Sequence, residues 1–152
     1  LLKYYRLSAI INSELDYYNN IIDIKEMHKR MIYNSIYDQI NMNTFNFVNA
    51  AFDNLLFRYP TQNEFNNSYF MIEDNQPFSI FGYSGSNKLD FTNLICDSRE
   101  FYEGIIQWTY LTMLARIPTS IERDFLMNNF YITTDFQKLQ RFIMTTDEYA
   151  HF

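Results

Sequence analysis

Phe52-Asp53-Asn54-Leu55-Leu56-Phe57-Arg58-Tyr59-Pro60-Thr61-Gln62-Asn63-Glu64 and Tyr110-Leu111-Thr112-Met113-Leu114-Ala115-Arg116-Ile117-Pro118-Thr119-Ser120-Ile121-Glu122 are two versions of one pattern. In register, both read aromatic-x-x-apolar-Leu-x-Arg-x-Pro-Thr-x-x-Glu. The apolar spacing suits one face of a helix. Pro60 and Pro118 then stop that helix, because proline lacks a backbone donor and drives the preceding residue out of the α region. Thr61 and Thr119 follow, each with a glutamate three residues on. This is the capping box, in which the threonine oxygen accepts from the N3 amide and the glutamate reaches back to the threonine amide. Arg58 and Arg116 are expected in the last turn of the incoming helix, where a cation suits the dipole and reaches the carboxylates of the corner. The structural corner is thus Arg58, Pro60, Thr61 and Glu64, repeated as Arg116, Pro118, Thr119 and Glu122.

A second matched block follows each corner. Phe91, Leu94, Ile95, Ser98, Glu100 and Phe101 correspond to Leu139, Phe142, Ile143, Thr146, Glu148 and Tyr149. Two matched blocks in one order mark an internal repeat. The first unit is ten residues longer between its blocks, and the excess falls around Gln76-Pro77 and Gly82-Tyr83-Ser84-Gly85-Ser86-Asn87. Met27, Arg30, Met31, Asn34 and Tyr37 sit where a third copy of the second block would place its apolar and cap residues, with Arg30 at an apolar position.

These signals predict an all-α fold, a helical bundle built from a duplicated helix–Pro corner–helix unit. Helices are expected near 2–15, 24–40, 45–58, 62–73, 91–97, 99–116, 120–130, 136–144 and 147–152. Residues 1–44 form N-terminal helices and a possible decayed repeat, 45–104 the first unit with a long loop at 74–89, and 105–152 the second unit. Further starts are expected at Asp23, with Glu26 completing a capping box, and at Thr134, with Gln137. Asp90 is expected as an N-cap with Leu89 as its staple, and Ser98 and Thr146 as caps of the helices after them. Only three glycines and three prolines among 152 residues fit such a helical chain.

The charge is −6, and the 12 lysines and arginines show no dense run. Nucleic-acid binding works through cations that neutralise phosphates, so it is not expected here. The longest apolar, uncharged stretch, residues 104–115, is shorter than the ~20 residues that cross a bilayer. Cys96 stands alone in Leu94-Ile95-Cys96 and is read as a small buried residue. His28 and His151 have no second histidine at i+3 or i+4, and a closed zinc site needs about four ligands, so neither metal nor cofactor is expected. His28 is placed on a solvated helix face. Asp97, Glu100 and Glu103 are close enough in sequence for paired-carboxylate chemistry, but cap and surface roles account for them. Ser84 and Ser86 belong to neither a phosphate loop nor a nucleophile elbow. No catalytic residue is assigned.

Aromatics are the surplus: 15 Phe, 13 Tyr and one Trp. Tyr4, Tyr5, Tyr17, Tyr18, Phe45, Phe47, Phe52, Phe57 and Tyr59 exceed what one small core needs. Phe78, Phe81 and Tyr83 cluster in the long loop and are candidate partner contacts, since aromatics on ordered loops are frequent anchors. Folding back onto the core and stacking on a sugar are the alternatives.

The motif Leu-x-Arg-x-Pro-Thr-x-x-Glu, followed by an apolar helix ending in Ser/Thr-x-Glu-Phe/Tyr, resembles helical domains of unknown function in bacterial secreted and cell-envelope proteins. It is distantly similar to phycobilisome linker domains, through Ser98-Arg99-Glu100-Phe101-Tyr102. The resemblance covers residues 46–149. It implies an all-helical scaffold or assembly module, placed in the bacterial envelope or secreted, as a fragment of a larger chain. It brings no catalytic residues, and the acidic charge departs from the basic character of those linkers. A non-enzymatic scaffold with protein partners is the expectation. A carbohydrate- or peptide-binding module, with a groove lined by Trp108 and tyrosines, is the alternative.

Overall fold

The computed structural model describes residues 1–151. It is all-α apart from one small hairpin. The chain divides into a unit from Leu1 to Ser98 and a second from Arg99 onward. No helix among the described residues is long and apolar enough to cross a membrane.

The first unit opens with α1 (Leu2–Ile11), α2 (Ser13–Tyr18), α3 (Ile24–Ile32) and α4 (Ser35–Asn41). Two long helices expected here are each broken. At Asn12 both the backbone N–H and the side-chain amide turn back to the Ser8 carbonyl. At Asn34 the side-chain oxygen accepts from the Ile36 and Tyr37 amides while its nitrogen donates to the Arg30 and Met31 carbonyls. One asparagine thereby closes α3 and opens α4, a competition with the backbone that disfavours such residues inside helices. α1 and α2 pack on α3, and α3 packs on α7 (Lys88–Asp97). Arg30 ties this corner, bonding Asp16 at 2.6 Å, Glu26 at 3.3 Å and the Ala9 carbonyl at 3.1 Å. Lys25–Asp97, at 2.7 Å, spans α3 and α7.

The core of this unit lies under α5 (Thr44–Leu56), α6 (Gln62–Glu73) and α7. α5 turns Phe47, Val48, Ala51, Phe52, Leu55 and Leu56 inward, the expected helical stripe. Phe47, Phe52 and Phe91 form an aromatic centre, with Tyr37 edge-on to Phe47. Burying such a ring is worth roughly 3–5 kcal/mol against alanine. The aromatic surplus sits at the surface instead: Tyr4, Tyr5, Tyr18, Phe45, Phe57 and Tyr59 are exposed.

The expected loop 74–89 holds β1 (Phe78–Ile80) and β2 (Tyr83–Gly85), antiparallel with Ile80 opposite Tyr83. Phe81 and Gly82 make the two-residue turn, both at positive φ (55° and 84°), as a type I′ hairpin requires. α7 starts three residues earlier than expected. Its N-cap is Asn87, not Asp90, and Leu89 lies exposed inside the helix rather than stapling its start. The correction has a simple cause: the Asn87 oxygen accepts from the Asp90 amide, and the Asp90 carboxylate accepts from the Ser86 amide and the Asn87 side chain.

The second unit holds α8 (Arg99–Leu114), α9 (Ser120–Thr133), α10 (Phe136–Met144) and α11 (Asp147–Ala150). α9, α10 and α11 pack on α8. Phe101, Tyr102, Ile105, Ile106, Tyr110, Met127, Phe130, Leu139 and Ile143 are buried. α10 is capped by Asp135, which accepts from the Lys138 amide at 2.8 Å, and not by Thr134. Thr134 ends α9 in the left-handed region (φ 56°) and so cannot hold the extended N-cap conformation. Thr146 caps α11 as expected. Phe152, the end of the last expected helix, lies outside the described residues.

Candidate functional site

The two corners make the same bonds. Thr61 N–H donates to Glu64 Oε2 at 2.8 Å, and Thr119 N–H to Glu122 Oε2 at 2.7 Å. The glutamate amides return to the threonine hydroxyls at 3.3 Å in both. Both capping boxes are therefore complete. Each arginine adds a two-pronged bond to its glutamate, Arg58 at 2.9 and 2.7 Å and Arg116 at 3.0 and 2.7 Å. Each also donates to the carbonyl just ahead of the proline, at 3.1 Å. The guanidinium lies over the aromatic ring that opens the motif, 5.4 Å from Phe52 and 5.1 Å from Tyr110. Arg116 also binds Glu148 through two bonds of 2.7 and 2.6 Å.

The helix ends differ from expectation. α5 stops at Leu56 and α8 at Leu114, with Phe57 (φ 56°) and Ala115 (φ 51°) left-handed. Arg58 and Arg116 therefore stand just outside the helix, not in its last turn. The left-handed residue reverses the chain before the proline does, and Arg-x-Pro is the extended run that brings the guanidinium onto the next helix's cap. The arginine bonds, then the threonine bonds, hold the Glu64 and Glu122 carboxyls down at about 2. Glu148 is lowered by Arg116, and the Arg116 guanidinium is raised by its two glutamates.

The loop aromatics separate. Phe78 is half-buried with its ring 5.7 Å from Phe70, and half-buried Phe81 lies 5.9 Å from Phe52. Both fold back on their own unit. Tyr83 alone points outward, 70% exposed.

The remaining polar candidates are occupied. Asp97 pairs with Lys25, and Glu103 with Arg99 at 3.0 Å. Cys96 is fully buried, which pushes its thiol up. His28 is half-buried rather than solvated: its ring bonds the Ile24 carbonyl at 2.8 Å, and desolvation lowers its pKa. No three His, Cys, Asp or Glu side chains among the described residues are placed to hold a metal.

The surface that sequence reasoning missed is on α9. Ile121, Phe125 and Ile132 are 81%, 61% and 80% exposed, at i, i+4 and i+11. Leu126, Met127 and Phe130 bury the opposite face. Phe125 meets Phe142 of α10 at 5.5 Å beside an open groove of ≈ 370 Å³. The signal was present in the sequence, because α9 is apolar on two faces. Trp108 is half-exposed, with its ring 6.3 Å from Phe136.

Neither a protein-family model, nor a curated protein, nor a solved structure gives a significant match to this chain.

Proposed function

We propose that the chain is a non-enzymatic helical scaffold whose uncovered apolar faces hold another protein. The supporting observation is the outer face of α9, where Ile121, Phe125 and Ile132 stand in solvent and Phe125 meets Phe142. Large apolar side chains left in solvent on one helix face, with an apolar-lined groove beside Phe125, suit an interaction site. The corner chemistry supports the same reading. Glu64 and Glu122 are committed to caps and arginine pairs, which build shape rather than reactivity. Placement in a bacterial envelope assembly is supported by the motif resemblance.

The test is the native size of the tagged protein in its own cells, with and without the paired changes Phe125→Glu and Ile132→Glu. Both side chains are exposed, so circular dichroism should be unchanged. The wild type is expected in a complex larger than the chain itself, and the double variant at monomer size. A wild type already running as a monomer, or a double variant that keeps the complex, ends the proposal.

A further inference from the structure

The first unit fills with its own hairpin a groove whose counterpart in the second unit stands open. The matched corners align α6 with α9, so Asn67, Phe70 and Met71 correspond to Phe125, Asn128 and Asn129. The matched N-caps Asn87 and Asp135 align α7 with α10, so Asp90 and Leu94 correspond to Lys138 and Phe142. In the first unit the segment 78–86 touches all five positions. The Asn67 amide donates to the Ser79 carbonyl at 2.9 Å. The Phe78 ring lies on Phe70. Gly85 seats so deeply that a Cβ there would lie 2.7 Å from Asp90 Cβ, 3.1 Å from Met71 Sδ and 3.2 Å from Leu94 Cδ1. Ser86 donates to the Asp90 carboxylate through its amide (2.8 Å) and hydroxyl (3.2 Å).

All five counterparts line the open groove of ≈ 370 Å³ between α9 and α10. The chain crosses from α9 to α10 there through Thr134 alone, before the Asp135 cap, so no local segment reaches into it.

We propose that the α9–α10 groove binds an extended or hairpin segment of the protein partner, seated as residues 78–86 are seated between α6 and α7. This rests on the protein-interaction reading above and names the kind of segment it requires. Two exchanges set the chemistry. Phe125 replaces the amide donor Asn67, so the occupant offers an apolar or aromatic side chain where the hairpin offers a carbonyl. Lys138 replaces Asp90, and its ammonium has no ion-pair partner among the described residues. The occupant therefore carries a carboxylate where the hairpin presents Ser86, next to a small residue that allows close approach. Strand and hairpin segments are a recurring mode of peptide recognition, with pockets reading alternate side chains.

The probe is a backbone-cyclised peptide of the Gln76–Ser86 sequence carrying Ser79→Leu and Ser86→Asp, titrated into the full ¹⁵N-labelled chain. Saturable shifts are expected at Phe125, Asn128, Asn129, Lys138 and Phe142. The unaltered Ser86 peptide should bind roughly fivefold more weakly, and Lys138→Glu should weaken the acidic peptide about tenfold or more, as expected on losing a close charge pair. A Gly85→Leu peptide should not bind. No saturable shift up to about 1 mM peptide, shifts elsewhere on the protein, or binding indifferent to Lys138→Glu overturns the proposal. The two readings fail separately. A native complex that persists while the peptides do not bind removes only the extended-segment occupant. A monomeric wild type in cells removes the scaffold itself.

Discussion

Thr61 and Thr119 launch helices through the same clasp, yet the chain then travels ten residues further to reach Asn87 than to reach Asp135. The difference is the hairpin. In the first unit Asn67 answers a strand carbonyl, and Gly85 is pressed against Met71 and Leu94. In the second unit the equivalent helix turns Phe125 into solvent. The corner is a local device that gives the same geometry in both settings. The infill between helices is a separate decision, and it determines whether a groove becomes core or surface.

The largest way to break this comparison is to evict the hairpin. Gly85→Leu places a side chain where a single carbon already collides, so a loss of about 2–3 kcal/mol is expected by urea denaturation. Backbone shifts should appear at Asn67, Met71 and Leu94. An enlargement in the open groove, Asn129→Met at the position of Met71, should change stability by no more than about 0.5 kcal/mol.

Next in size is acid sensitivity, which the two corners should share. A carboxyl held at about 2 when folded and near its ordinary value when unfolded stabilises the fold fully above about pH 4.5. That contribution is lost as the pH falls from there toward 2. Both corners are partly solvated, so screening reduces the gain to about 1 kcal/mol each. Glu64→Gln and Glu122→Gln should each lower stability by that amount at pH 7. At pH 2 each variant should match the wild type, as read from thermal melts across the range.

A smaller change sharpens the contrast inside the grooves. Ser68, buried on α6 at the position of Leu126, holds a hydroxyl with no hydrogen-bond partner among the described residues. Removing an unsatisfied buried polar atom relieves its desolvation penalty. Ser68→Ala should therefore stabilise the protein by about 1 kcal/mol, raising its melting temperature.

The sequence made the corners legible because everything they need lies within thirteen residues: a cap, a proline, and an arginine two positions before it. All-α character followed from the apolar spacing and the scarcity of glycine and proline. The hairpin stayed hidden because its strands, Phe78–Ile80 and Tyr83–Gly85, are too short to show alternation, and its turn puts Phe81 where Asn-Gly would have signalled it. The caps of α7 and α10 were misplaced because Asn87 and Asp90, or Thr134 and Asp135, are equally good cap residues. Tertiary fit chose between them. The open groove was illegible for a stronger reason, since it exists only by contrast with a contact between Gly85 and Met71, which the chain brings together across the end of α6.

Phe81 tests the finest balance in this comparison. A residue with a Cβ held at φ 55° carries strain of about 1 kcal/mol or more, and asparagine at this position is what a type I′ turn prefers. Against this stands the Phe81 ring on Phe52, an aromatic pair worth about 0.5–1.5 kcal/mol beyond its buried area. Phe81→Asn alone should therefore move stability by less than about 1 kcal/mol, the two effects opposing each other. In a Phe52→Leu background the ring pair is already gone, and its loss drops out of the balance. There the same substitution should be more favourable than in the wild type by roughly 0.5–1 kcal/mol. Equal effects in both backgrounds would mean that the ring contact contributes nothing, and that the hairpin is held in its groove by Gly85 and the Ser86–Asp90 bonds alone.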